Sequence, residues 1–147
     1  MGQLVGIAYK TEKYGSMHTI SSAMVGTETG VSPDYRGLPG KRQVTVLSKE
    51  AFEAACSELE TLLPWTIRRA NLLISGTELE NSTGKQLRIG DLVLEITGET
   101  EPCYRMDEQH DGLKIALQSA WRGGVTCRVI QGGNIKTGDE VQLLTNE

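Results

Sequence analysis

A cysteine stands in one of the most polar stretches of this chain, Gly98-Glu99-Thr100-Glu101-Pro102-Cys103-Tyr104-Arg105-Met106-Asp107. Cysteine usually packs as a small hydrophobe. Here it follows a proline, which disfavours regular helix or strand at that point. Glu99, Glu101, Asp107, Glu108 and Asp111 surround it in sequence. Such neighbours raise a thiol pKa and slow its reactions unless positive charge arrives from elsewhere in the fold. Arg105 is the local cation, and Arg69 and Arg122 are those that other segments could bring. Cys103 is therefore either inert or a thiolate whose cations lie far from it in sequence. The other two cysteines read differently. Cys56 falls on an apolar helical stripe and Cys127 on the apolar face of a strand, both as buried hydrophobes. Three cysteines without a CxxC pair argue against a disulfide scaffold and a zinc ribbon.

Other chemistries find little support. His18 and His110 have no partner at metal-ligand spacing, and Gly-x-Ser-x-Gly is absent. Gly37-Leu38-Pro39-Gly40-Lys41 lacks both the spacing and the Ser/Thr of a phosphate loop. The chain carries 15 basic and 19 acidic residues, net −4, which disfavours nucleic acid as a partner. That charge is uneven. Residues 1–48 hold Lys10, Lys13, Arg36, Lys41 and Arg42 against Glu12, Glu28 and Asp34, so the acidic excess lies in the remainder. An anion site must recruit individual arginines rather than use a basic face. No apolar run approaches the ~20 residues of a membrane span, and the first residues lack the basic and long apolar regions of a signal peptide. The expectation is a cytoplasmic protein with no membrane partner.

These residues must be positioned by short elements. Glycine, 17 of 147 residues, exceeds the usual level of about 7% and marks frequent turns. Between the turns, polar and apolar residues alternate. Val44 and Val46 share a face, as do Leu92, Leu94 and Ile96, and Val125, Cys127 and Val129. Period two of this kind predicts half-buried antiparallel strands over 43–47, 91–97 and 125–130. Further strands are expected at 4–9, 71–75 and 141–144, with a weaker one within 17–25. Leu87–Leu94 and Asn134–Leu143 echo each other as a short strand, a Gly-Asp turn and a longer strand. Ser48 can cap a helix over 49–62 whose stripe is Phe52, Ala55, Cys56, Leu59 and Leu63, and 112–120 predicts a shorter helix. The fold class expected is mostly β: one domain over residues 1–147, a compact, partly closed β-barrel of seven or eight strands with two short helices.

The ordered set of motifs resembles the MOSC domain, the module at the carboxyl end of molybdenum-cofactor sulfurases, in its small stand-alone bacterial form. The pieces are Arg69-Ala70-Asn71-Leu72-Leu73 before Gly76, Leu87–Asp91 with Leu94–Gly98, Pro102-Cys103, Arg122-Gly123-Gly124-Val125 and the closing Gly138-Asp139. Gly30–Asp34 and Arg42-Gln43-Val44 fit near the front. The resemblance implies a barrel-like fold in which Cys103 is the reactive or metal-binding sulfur. It also implies a molybdenum cofactor (molybdopterin), with Arg69, Asn71, Arg122 and Arg42 as candidates for its pterin or phosphate. The implied partner is a pyridoxal-phosphate cysteine desulfurase or an electron-donor reductase, because the chain has no flavin, haem or iron–sulfur motif of its own. Three readings stand: a cofactor-binding or sulfur-carrier domain, a molybdenum-dependent reductase of N-hydroxylated compounds, and a non-catalytic partner-binding barrel. The chain departs from many members at Pro33–Arg42, where basic residues stand in place of a His-His-Gly-Gly-like segment.

Overall fold

The computed structural model describes residues 2–12, 15–32, 34, 38–100 and 105–144. In chain order the strands are β1 (Gly2–Tyr9), β2 (His18–Ile20), β3 (Ser22–Gly26), β4 (Gly30–Val31), β5 (Val44–Ser48), β6 (Leu72–Ser75), β7 (Gln86–Ile89), β8 (Leu92–Glu99), β9 (Val125–Gln131), β10 (Gly133–Lys136) and β11 (Glu140–Leu144). Helix α1 (Lys49–Glu58) follows β5, and α2 (Arg105–Gln109) and α3 (Leu113–Gln118) lie between β8 and β9. Single 3-10 turns cover Trp65–Arg68 and Ser119–Trp121.

Seven strands close a barrel in the order β1-β11-β7-β8-β9-β5-β6, with β6 returning to β1 and β2 flanking β1 as an eighth strand. Closure depends on the length of β1. Gly2 and Gln3 pair with Val141 and Glu140 of β11, while Gln3–Ile7 pairs with β6 and Ile7–Tyr9 with β2. A closed ring leaves no open edge among its seven members, which answers the edge problem raised by so many short strands. All ring pairings are antiparallel except β5–β6, which α1 and the first 3-10 turn connect. A crossover of this kind is what parallel neighbours require.

The alternation along each strand builds two cores. Val44, Val46, Leu72, Ile74, Leu94, Ile96, Val125 and Cys127 point into the barrel. Leu47 and Leu73 point outward, where they pack with Phe52, Ala55 and Cys56 of α1 and Leu113, Ala116 and Leu117 of α3. Helices thus cover the outer face of β5–β6. Trp65 lies against β1 because Gly6 has no side chain; a Cβ there would meet the indole at 2.8 Å.

Several elements depart from the sequence expectation. The 17–25 segment is two strands in different sheets: β2 joins the barrel sheet, and β3 joins β10 and β4 in a separate three-stranded sheet. The two Gly-Asp segments also differ. The first is the β7–β8 hairpin, whereas β10 pairs with β3 and β11 with β7. The capping Ser48 Oγ accepts from Ala51 N at 3.2 Å as its position predicts, but α1 stops at Glu58 rather than Leu62. Glu60, at φ 52°, turns the chain away.

Candidate functional site

The alternation that sends Val44 and Val46 inward sends Thr45 outward, and it does the same to Thr126 between Val125 and Cys127 and to Thr97 after Ile96. Thr45 and Thr126 are register partners on β5 and β9. Thr126 Oγ1 lies 2.7 Å from Thr97 Oγ1, and the Thr97 hydroxyl also meets the Lys41 carbonyl. On the other side, Asn71 Oδ1 accepts from Thr45 N at 3.1 Å. Its Nδ2 donates to Ala8 O at 3.2 Å. Asn71, Thr45, Thr126 and Thr97 thus form a polar row across the outer face of the sheet.

The row accounts for Asn71, which is buried with its amide committed to β1 and β5. It does not stand beside the Arg69 guanidinium as strand periodicity would place it. β6 begins only at Leu72, and Arg69 adopts a left-handed conformation (φ 64°, ψ 31°) that ends the 3-10 turn. Its guanidinium donates to Gly15 O. Arg42 is exposed, and among the described residues it makes no hydrogen bond or ion pair. Arg42 and Arg69 precede parallel neighbours, β5 and β6, so the topology delivers both to the end of the barrel where those strands begin.

The segment that leads to Cys103 follows the end of β8. Cys103 itself lies outside the described residues. Thr100, the last described residue before it, donates its N–H to Gly124 O at 2.9 Å. Gly124 is required there: its φ is +93°, and a Cβ would come within 2.4 Å of Val46 O. Ala120 and Trp121, just upstream, both have positive φ, so the α3–β9 corner is a tight reversal held by its partners. Arg122 is one of those partners. Nη1 pairs with Glu58 Oε1 at 2.8 Å and donates to Ala116 O at 3.1 Å, fastening the corner to α1 and α3.

Sequence reasoning missed Arg68. Its Nε donates to Gly123 O and its Nη2 to Thr100 O, each at 2.9 Å. One guanidinium therefore bridges the α3–β9 corner and the start of the Cys103 segment. Nothing in the sequence distinguishes the adjacent Arg68 and Arg69, but Arg68 ends the 3-10 turn and Arg69 caps it. The left-handed residue between turn and strand is what sends the two side chains to different places. Thr100 was missed as well. Its backbone is bonded on both sides, yet its Oγ1 is, among the described residues, the buried side-chain polar atom with no hydrogen-bond partner.

The described cysteines hold no such position. Cys127 is fully buried inside the barrel, and burial pushes its thiol far above the ordinary range. Cys56 is buried on the inner face of α1, in the core of the helical layer. No group of three or more His, Cys, Asp or Glu that could hold a metal occurs among the described residues. No helix among them is long and apolar enough to cross a membrane.

The chain folds as a closed seven-stranded barrel, and the sequence model of the MOSC domain family matches residues 18–142. The chain belongs to that family, which is linked to the molybdenum cofactor. Among solved structures, it resembles the YUAD protein from Bacillus subtilis with a TM-score of 0.84 and 18% identity, over 100% of this chain and 98% of that one. YiiM from Geobacillus stearothermophilus gives 0.78 and 18%, over 99% and 76% of the two chains. YiiM from Escherichia coli gives 0.71 and 17%, over 99% and 71%. At these identities the likeness is one of fold. No curated protein matches the chain.

Proposed function

We propose that this protein is a molybdenum-cofactor-binding or sulfur-carrier domain that works through the Cys103 thiolate. The observation that carries the reading is the burial of the other two cysteines in a chain of this family: Cys127 is sealed in the barrel and Cys56 lies on the buried face of α1. Soft sulfur for a metal or for persulfide chemistry therefore falls to Cys103. The acidic neighbours that discourage its ionisation matter less once a metal binds, because coordination deprotonates a thiol outright.

The available residues fit the cofactor on two counts. Arg69 and Arg42 present planar cationic forks suited to a phosphate. Thr100 offers a buried hydroxyl with no hydrogen-bond partner among the described residues. Asn71 and Arg122, whose polar atoms bond within the protein, support the backbone beneath these groups. When bound, the molybdenum cofactor supplies two-electron redox chemistry at a metal that accepts sulfur ligands. In sulfur carriage the Cys103 thiolate attacks the terminal sulfur of a desulfurase persulfide. That donor S–S bond breaks, a new one forms on Cys103, and the donor thiolate is released.

Metal analysis and pterin fluorescence on protein from a cofactor-competent host test the reading. Wild type is expected to carry molybdenum and pterin or a transferable sulfur, and Cys103→Ser is expected to fold normally and lose them. Turnover of a hydroxylamine-type substrate with an electron donor would instead mark a complete reductase. A wild-type protein with no metal, pterin or transferable sulfur leaves a partner-binding barrel.

A further inference from the structure

A groove of about 900 Å3 opens at the carboxyl end of α1, and all its lining residues lie between Phe52 and Leu63. Phe52 and Leu63 give it an apolar side. Leu62 stands at it 96% exposed, more than any other large hydrophobic residue among those described. An exposed leucine alone needs no explanation. Here it belongs to a surface whose charges all have one sign. Glu53 and Glu60 line the groove and no cation does. Among the described residues neither carboxylate has a hydrogen bond or ion pair, whereas Glu58, on the same helix, is held by Arg122.

Glu60 is also an unfavourable choice for the fold. Its N–H bonds to Ser57 O and that of Thr61 to Cys56 O, each at 3.1 Å, the paired closure that ends a helix on a left-handed residue. Glycine is usual at that position, yet Glu60 occupies it at φ 52°. An acid there also meets the negative end of the helix dipole, and the last turn of α1 has no basic residue to offset it. Apolar surface, two unpaired carboxylates and a helix carboxyl terminus therefore converge on one groove.

We propose that this groove docks a partner protein through a segment in which apolar side chains alternate with arginine or lysine. Its apolar anchors would cover Leu62 and Leu63, and its cations would meet Glu53 and Glu60 at the negative end of α1. Charge complementarity selects this occupant, because an acidic segment would be repelled and a small cation would leave Leu62 uncovered. The inference is independent of the chemistry assigned to Cys103, since carrier, reductase and partner-binding barrel each need a docking surface.

The test uses the whole chain and a short fluorescein-labelled peptide of alternating leucine and arginine. Two control peptides carry glutamate in place of arginine or serine in place of leucine. Fluorescence anisotropy should show the leucine–arginine peptide binding at least about tenfold more tightly than either control. The double variant Glu53→Gln/Glu60→Gly should weaken that binding about tenfold, and Leu62→Ser about tenfold. Glu80→Gln removes an exposed acid outside the groove and should leave binding unchanged. Glu60→Gly alone relieves the left-handed backbone, so it should melt at or above wild type. A melting temperature well below wild type would give Glu60 a role in the fold and overturn the inference. Equal binding of the serine control, or equal weakening by Glu80→Gln, would show a general attraction of cations to an acidic protein and overturn it. Argininamide that displaces the peptide as effectively as unlabelled peptide would mark a small-molecule site instead. Self-association of wild type in sedimentation that Leu62→Ser abolishes would mean that a second copy covers the groove. Either result overturns the inference, as does failure of the leucine–arginine peptide to bind.

Discussion

At the scale of residues, the chain sorts its cysteines by environment, and their reactivity should follow. Cys127 is shut inside the barrel, where burial disfavours the thiolate and holds its pKa above the ordinary value of about 8.5. Brief limiting alkylation of the native protein, followed by peptide mapping, should therefore label Cys103 well before Cys56 and Cys127. Equal labelling of all three would contradict the burial of the other two. The same shift has a consequence for stability. A group whose folded pKa exceeds its unfolded pKa stabilises the native state fully below the unfolded value, and that contribution is lost as pH climbs toward the folded value. Unfolding free energy should thus decline above about pH 8.5, and Cys127→Val, which removes the titrating group, should flatten that decline. An alkaline branch unchanged in Cys127→Val would assign it to other groups.

The arginines separate in the same way. Arg122 is half-buried and fastens elements together; its ion pair contributes roughly 0–1 kcal/mol and its bond to Ala116 O about 1 kcal/mol. Arg122→Ala should accordingly lower stability by about 1–2 kcal/mol and leave cofactor retention close to wild type. Arg69→Ala should do the reverse, weakening retention about tenfold or more with little change in melting temperature. Arg128, which pairs with Glu95 on the outer face of β9 and β8, serves as the control. If Arg69→Ala and Arg128→Ala weaken retention equally, Arg69 is not a ligand.

At the scale of elements, Asn71 makes the most specific prediction. It joins three strands through one amide, accepting from Thr45 N and donating to Ala8 O in a buried setting. Truncation to alanine strands one donor and one acceptor, each costing about 1–3 kcal/mol. Asn71→Ala should lower unfolding free energy by about 2–6 kcal/mol in urea, with the slope unchanged; a loss under about 1 kcal/mol would mean that water replaces the amide freely. This role was hidden in the sequence. Asn71 was visible as a polar residue beside Arg69, but the left-handed backbone at Arg69 is a conformation that arginine rarely adopts, so strand periodicity was carried one turn too far. The barrel strands were legible because half-buried strands write their burial as period two. β4, of two residues, and α2, of five, are too short to show a period. The second Gly-Asp echo misled because a turn motif fixes local backbone and says nothing of which strand lies alongside. Arg68 and Thr100 could not be read because their importance arises from pairings across 55 and 32 residues of sequence between Arg68 and its two acceptors.

At the scale of the molecule, two cores of unequal size share one wall. The core formed by the barrel with the small sheet gathers 19 buried residues and the helical layer 10, among the described residues. The wall between them is β5–β6, whose residues alternate into one core and the other. The layer has the smaller apolar interior and shorter elements, so it should open without the barrel, as locally less stable units do. Native-state hydrogen exchange should find α1 and α3 exchanging faster than β5, β8 and β9. The polar bonds at the seam decide how independent the layer is. Arg122 joins the α3–β9 corner to α1, and Arg68 joins it to Thr100. Arg122→Ala should accelerate exchange in α1 and α3 and leave the strands unaffected. Uniform exchange across helices and strands, insensitive to Arg122→Ala, would show that barrel and layer unfold as one unit and that the seam carries no separate motion.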